Sequence, residues 1–254
     1  MLLKVENLSK HFGGLKAVND VSFNVNEGEI VAIIGPNGAG KTTLFNLLRS
    51  MHKVTSGRIL FKDENITHYK PNQVVYKGIA STFQITTLFD QLRVIDNLAI
   101  GYRSCTKTGF WDALFRTPRW RRDRDATISR ALEVASFIGL GDNVFDFVTT
   151  LPQEAQKRLS IGVAMASNPD ILLLDEPTAG VNPEETSGIT NLITEIKKQG
   201  ITICLIEHKM RMVMGVADRI IVLNHGQKIA DGPPEEVSND EEVIKAYLGG
   251  EYVA

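Results

Sequence analysis

The sequence predicts an α/β fold with a mainly helical segment inserted into it, and three observations lead there. The apolar run Ile30–Ile34 passes directly into Gly35, Pro36, Asn37, Gly38, Ala39, Gly40, Lys41, Thr42 and Thr43, and residues 44–48 are again mostly apolar. That is a buried strand, a glycine-rich loop and a helix in immediate succession. From residue 153 onward, helical and apolar-strand patterns alternate in the rhythm of βα units. Between about residues 88 and 150 the rhythm stops and helical spacing takes over.

Taken in order, residues 2–5 and 21–25 alternate apolar and polar and read as strands, joined through Phe12-Gly13-Gly14 and Asn19-Asp20. Glu27-Gly28 turns the chain into Ile30–Ile34, and the helix after the loop is expected over 42–50. Thr55-Ser56-Gly57 is a turn before a strand at 58–61, and a further short strand at 78–83 ends at Gln84. Residues 101–125 then carry seven basic and three acidic side chains, with Phe110, Trp111, Phe115 and Trp120 interleaved. Ile128, Leu132, Ala135 and Ile138 fall at helical spacing, with Gly139 and Gly141 as stops. Next come a helix at Gln153–Ala166, a buried strand at 171–174 and a helix at 184–199 capped by Gly200. A strand at 201–206, a helix at 209–217, strands at 219–223 and 227–230 and a helix at Glu241–Leu248 complete the pattern.

Composition narrows the function. The 254 residues are 43% hydrophobic and 23% charged, which is enough to bury a sizeable core. A net charge of −2 supplies no general field for nucleic acid or anionic lipid. Cys105 lies in a polar stretch and Cys204 in an apolar run, so neither a disulfide framework nor a metal cluster is expected. No run of 18 apolar residues exists, so a membrane span is not expected and a signal peptide is not read at Met1-Leu2-Leu3-Lys4. A cytosolic location follows, with any membrane contact made through a partner.

The chemistry of the glycine-rich loop is phosphate binding. Gly38 and Gly40 let successive backbone N–H groups converge on phosphate oxygens, and the following helix adds its positive end. Lys41 reaches the β- and γ-phosphates as a point charge, and the Thr42 hydroxyl is a Mg²⁺ ligand. A second signal is Ile171-Leu-Leu-Leu-Asp175-Glu176-Pro177, an apolar strand that delivers two carboxylates at its end. Asp175 fits a Mg²⁺-holding role and Glu176 fits a base that orients or deprotonates water. Gln84, His208 and Phe12 are each ambiguous alone. An isolated glutamine is ordinarily a surface residue, an isolated histidine is ordinarily structural, and Phe12 either stacks on a purine or covers the sheet edge.

Together these features resemble the ATP-binding-cassette (ABC) ATPase subunits over nearly the whole chain. Phe12, residues 35–43, Gln84, residues 171–177, Ala179-Gly180-Val181-Asn182 and His208 occur in that family's order and spacing. Finer features resemble the subunits that serve branched-chain amino acid importers, namely Phe12-Gly-Gly-Leu15, Thr82-Phe-Gln84, Ala179-Gly-Val-Asn-Pro183, Leu205-Ile-Glu-His208 and Val243-Ile-Lys-Ala-Tyr-Leu-Gly249. The resemblance implies a P-loop NTPase (RecA-like) core with an antiparallel β subdomain, formed by residues 1–87 and 155–254, and a helical subdomain at 88–154. It implies ATP and Mg²⁺ as cofactors, with Phe12 on adenine and Thr42, Gln84 and Asp175 around Mg²⁺. Glu176 is then the catalytic base, His208 the switch histidine and residues 179–182 the D-loop. The implied partners are a second cassette subunit and transmembrane permeases at the cytoplasmic face of the membrane.

One family element is missing. The signature Leu-Ser-Gly-Gly-Gln is expected to start 24 residues before Asp175, where the chain instead has Leu151, Pro152, Gln153, Glu154, Ala155 and Gln156. Pro152 supplies neither hydroxyl nor N–H, and Gln153 and Glu154 add side chains where glycines permit close approach. A Glu154 carboxylate brought to about 4 Å from phosphate repels it by roughly 4 kcal/mol at an effective dielectric near 20. Thr150-x-x-Gln153 instead reads as a capping box for the helix that follows. Cassettes work head to tail, so this points to a heterodimer with a partner whose signature is intact; a homodimer would carry two defective sites. The alternatives are a regulatory subunit that binds ATP without hydrolysing it, or a soluble cassette ATPase outside transport. Lesser departures are Arg49-Ser50 where Thr-Gly is usual, Ser81 where arginine is common, and Lys209 where an acid often follows the histidine.

Overall fold

The computed structural model describes residues 1–82 and 88–248. The strands are β1 (Leu3–Phe12), β2 (Leu15–Val25), β3 (Ile30–Ile34), β4 (Ser56–Phe61), β5 (Glu64–Asn65), β6 (Ile79–Ser81), β7 (Ile171–Asp175), β8 (Thr202–Ile206), β9 (Arg219–Asn224) and β10 (Gln227–Gly232). Helices α1 (Lys41–Leu48) and α2 (Pro71–Tyr76) precede β6, while α3 (Val94–Gly101), α4 (Phe110–Leu114), α5 (Pro118–Phe137) and α6 (Gln153–Ala166) lie between β6 and β7. Helices α7 (Pro183–Lys198), α8 (Met210–Val216), α9 (Pro234–Ser238) and α10 (Glu241–Leu248) complete the described chain.

Two sheets organise these elements. An antiparallel sheet has the order β2-β1-β4-β5, and a six-stranded sheet has the order β10-β9-β3-β8-β7-β6, with β10 alone running antiparallel. The central strands β3, β7 and β8 are buried at every residue. Their two faces feed different cores. Ile30, Ala32, Ile34, Leu172, Leu174, Ile203 and Leu205 pack towards the helices α3, α5, α6 and α7. Val31, Ile33, Ile171, Leu173, Cys204 and Ile206 pack with α1 and the antiparallel sheet. The period-2 pleat thus explains why these strands read as unbroken apolar runs.

Most expected elements form, but β1 and β2 run ten and eleven residues where strands at 2–5 and 21–25 are expected, and β4 takes in Ser56 and Gly57 of the expected turn. Asn19-Asp20 is not a connection but an irregularity within β2, with Asp20 at φ 59° and its N–H held by the Ser9 hydroxyl. Helices α2 and α9 were not expected, being one-and-a-half-turn pieces without a readable apolar period. The aromatic and basic stretch folds as α4 and the start of α5, whose N-cap Thr117 accepts a bond from the Trp120 N–H at 3.3 Å.

Candidate functional site

Parallel pairing places the C-terminal ends of β3, β8 and β7 side by side, which is where an open α/β sheet receives ligands. The glycine-rich loop follows β3, Glu207 and His208 follow β8, and Asp175 and Glu176 end β7. Residues far apart in sequence are therefore gathered by register alone.

The loop is shaped by close backbone approach. A Cβ on Gly35 would meet the Leu223 carbonyl oxygen at 2.1 Å, and one on Gly40 would meet the Ala17 oxygen at 2.2 Å; their φ values are 148° and 100°. Gly40 is the N-cap of α1, so the first N–H groups of that helix have no side-chain cap and face outward for an anion. Lys41 Nζ donates to the Gly35 and Pro36 carbonyls at 2.7 and 3.0 Å, bringing its charge over the loop. Burial pushes the Lys41 ammonium pKa down, and the Glu176 and Asp175 carboxylates oppose that shift. Thr42 is exposed at the helix start.

Asp175 is 2% exposed. Its Oδ2 accepts from Arg49 Nη2 at 3.1 Å, while Oδ1 is buried with no hydrogen-bond partner among the described residues. Burial raises this carboxyl's pKa and the Arg49 guanidinium opposes the rise. An oxygen of this kind beside a phosphate loop and the Thr42 hydroxyl fits a hard divalent cation. Glu176 is half-buried at φ 48°, its N–H held by the Ile206 carbonyl at 2.9 Å, so the backbone adopts an uncommon conformation at the candidate base. Gln84 lies outside the described residues.

Three residues that sequence reading left without a role organise the site. Glu207 is fully buried and accepts from the Thr178 hydroxyl, from the Thr178 N–H at 3.2 Å, and from the His208 and Lys209 N–H groups at 2.8 and 3.3 Å. Lys209 Nζ donates to the Thr178 and Val181 carbonyls, both at 3.0 Å, so residues 178–181 are tied to the end of β8 from both sides. Lys157 is buried on α6, where desolvation lowers its ammonium pKa against the pull of Glu176 and Glu207. The sequence showed Glu207 only within Leu205-Ile-Glu-His208 and Lys209 only as a departure from the usual acid, and it marked Lys157 by nothing more than a charge within an amphipathic helix. His208 itself is exposed, with Nδ1 3.5 Å from Glu207 Oε2. Phe12 ends β1, half its surface free, with His52 edge-on at 5.5 Å and Lys10 Nζ 4.8 Å from its ring centre.

A profile of the ABC transporter family matches residues 18–179. The chain belongs to that family. A second profile, described as a branched-chain amino acid ATP-binding cassette transporter, matches residues 227–253 of this cassette. It is 43% identical over 249 residues to LivG, the high-affinity branched-chain amino acid transport ATP-binding protein of Salmonella typhimurium, covering 98% of each chain. BraF of Pseudomonas aeruginosa, of the same description, is 39% identical with 98% of each chain covered. Among solved structures, an ABC transporter cassette in its ADP conformation superposes with a TM-score of 0.86 at 33% identity, covering 98% of each chain. A nucleotide-free cassette gives 0.84 at 33% identity, covering 97% of this chain and 98% of that one. Membership brings ATP binding and ATPase activity with it.

In this cassette the α6 entrance differs from its sequence reading in two ways. The capping box does not form: Pro152 is the N-cap, no side chain caps the helix, and the Thr150 hydroxyl donates to the Phe147 carbonyl at 2.8 Å. The Glu154 carboxylate is not directed outward alone but pairs with Arg158 one turn later, against Gly188 of α7. The repulsion expected from a bare carboxylate is thereby offset by a neighbouring guanidinium. The Gln153 amide lies against Gly180, at 2.4 Å from where its Cβ would be. Leu151 and Ala155 are buried, and the Gln156 amide donates to the Leu151 carbonyl at 3.0 Å. Ala179, Gly180, Val181 and Asn182 form the turn into α7, of which Asn182 is the N-cap.

Proposed function

We propose that this chain is the ATP-hydrolysing subunit of a branched-chain amino acid importer, held at the cytoplasmic face of the membrane by permease subunits. The observation that carries the reading is the convergence of the Lys41 loop, Asp175-Glu176 and His208 on three adjacent strand ends, in a chain 43% identical to LivG. Among the described residues no helix is long and apolar enough to cross a membrane, so the translocation path belongs to partner chains. Residues 1–254 act as one nucleotide-binding domain, in which 88–154 form the helical subdomain that transmits motion to those partners.

The residues divide the work as follows. Residues 35–43 cradle the phosphates through backbone N–H groups, and Lys41 adds a fixed positive charge. Thr42, Asp175 and Gln84 are the oxygen donors that would hold Mg²⁺, which when bound neutralises charge on the β- and γ-phosphates. Glu176 orients or deprotonates the attacking water, His208 contacts the γ-phosphate, and Phe12 stacks on adenine. The complete site needs a signature from a second cassette, and residues 151–156 here provide neither a serine hydroxyl nor a glycine backbone for the reciprocal site. The functional unit is therefore a heterodimer with one hydrolysing site.

Glu176→Gln tests the assignment. ATP affinity should stay within about twofold, while single-turnover hydrolysis and leucine uptake into proteoliposomes holding the assembled transporter should fall at least ~100-fold. Hydrolysis within about threefold of wild type would remove Glu176 from the role of base.

A further inference from the structure

Helix α4 turns its large apolar side chains away from the fold. None of its residues is buried, and Phe110, Trp111, Leu114 and the C-cap Phe115 are 75, 66, 58 and 70% exposed. The rings lie against one another instead of against the core. Trp111 has Phe110 edge-on at 5.4 Å and Phe115 stacked at 6.0 Å, with 14° between the ring planes. Contiguous aromatic surface of this kind is uncommon on a soluble face and marks a place where something else covers it. The charge beside it is largely of one sign. Residues 101–125 hold seven basic and three acidic side chains, in a chain whose net charge is −2. The acids are engaged within the segment: Asp112 accepts from the Gly109 N–H and the Thr117 hydroxyl at 3.2 and 2.8 Å, and Asp123 from the Lys107 and Thr108 N–H groups at 2.9 and 2.8 Å. Among the described residues the segment's ion pairs are Arg119 with Asp112 and Arg124 with Asp125. Arg116, directly after the rings, and Arg121 and Arg122 at the start of α5 are exposed and have no carboxylate against them there.

We propose that residues 110–122 rest on an anionic phospholipid surface, with Phe110, Trp111, Leu114 and Phe115 at the headgroup boundary and Arg116, Arg121 and Arg122 on lipid phosphates. Tryptophan and phenylalanine beside arginine is the chemistry of a bilayer interface, where the rings sit at headgroup level and each nearby arginine adds attraction to anionic lipid. A protein surface would have to set an acid against each of the three arginines, whereas an anionic leaflet offers negative charge wherever they fall. The chain's small negative net charge does not oppose this, because fields at a surface are local and are screened within about 8–10 Å. A single five-residue helix buries little area, so the contact is reversible and needs both its rings and its arginines. In the proposed importer this lipid contact stands beside the one made through the permeases and rests on that reading only to bring the chain to a membrane.

The test is co-sedimentation of the full-length chain, without nucleotide, with vesicles of phosphatidylglycerol and with vesicles of phosphatidylcholine. Wild type should partition onto phosphatidylglycerol at least ~10-fold more strongly than onto phosphatidylcholine. Phe110→Ser/Trp111→Ser/Phe115→Ser and Arg116→Gln/Arg121→Gln/Arg122→Gln should each lower that partition ~10-fold or more. All six side chains are exposed, so both variants should melt and bind ATP as wild type does. In a Trp120→Phe background, lipids with brominated acyl chains should quench Trp111 emission, which attraction by charge alone would leave unchanged. Equal partition onto the two lipids, or a serine variant that binds as wild type, would overturn the proposal. So would sedimentation only with vesicles that hold permease subunits, which would give this face to a protein. Neither result touches the assignment of Glu176, because no step of the vesicle experiment involves hydrolysis.

Discussion

Glu207 is an acid with no solvent exposure at the mouth of a nucleotide site, and four donors justify its place there. It fixes Thr178, which leads into residues 179–182, relative to His208, which follows on its own strand. Replacing it by alanine leaves buried donors without an acceptor, each worth about 1–3 kcal/mol. We expect Glu207→Ala to lower stability by about 3 kcal/mol in denaturant titration and to slow turnover, with nucleotide affinity less affected. At this scale the sequence disclosed chemistry whose partners are local. Lys41 lies in its own loop and Glu176 beside Asp175, so spacing alone exposed them. Arg49, Lys209 and Glu207 each reach a residue at least 28 positions away, Asp175, Val181 and Thr178 respectively, and strand register had to be known first. Glu154 with Arg158 is the opposite case: an i,i+4 pair that helical spacing does encode.

At the level of elements, α1 links the phosphate loop to the buried Arg49, and its end is strained. Ser50 follows the helix at φ 56°, with its N–H on the Leu47 carbonyl at 3.0 Å. A left-handed residue after a helix favours glycine, which removes the Cβ clash at that position. Ser50→Gly should raise stability by about 1 kcal/mol, seen as a melting increase of a few degrees. Helix α6 shows what sequence could and could not say about an element. Its span from Gln153 to Ala166 is legible from amphipathic spacing. Its cap is not, because Pro152 occupies the N-cap and the side chains of Gln153 and Glu154 turn onto Gly180 and Arg158 instead of onto the helix's own N–H groups.

Across the whole molecule, one six-stranded sheet separates two cores, and Cys204 lies in the middle of it. Burial pushes its thiol from 9.0 up to about 12. The folded state therefore holds that proton more tightly than the unfolded chain, and this contribution to stability is complete below pH 9.0 and lost as pH rises towards about 12. Cys105 is exposed by contrast. A thiol reagent at neutral pH should modify Cys105 at once and Cys204 only when the sheet opens, so slow labelling of Cys204 followed by mass spectrometry reports global stability. The α/β architecture and the inserted helices were readable because strand periodicity and the glycine-rich loop are local patterns. Short α2 and α9, and the folding of residues 110–124 into α4 and the start of α5, depend on caps and tertiary cover that periodicity does not register.

The proposed function has its largest consequence at this scale: by that proposal the chain carries the catalytic half of one site and lacks the residues that complete its partner's. Steady-state ATPase measured on this chain alone, on its mixture with a second cassette whose signature is intact, and on that mixture with Glu176→Gln here separates the possibilities. We expect the chain alone to turn over at least ~100-fold more slowly than the mixture, and Glu176→Gln to return the mixture to that low rate. Cooperative turnover by the chain alone at the rate of the mixture, or a mixture indifferent to Glu176→Gln, would contradict an asymmetric dimer with its working carboxylate in this subunit.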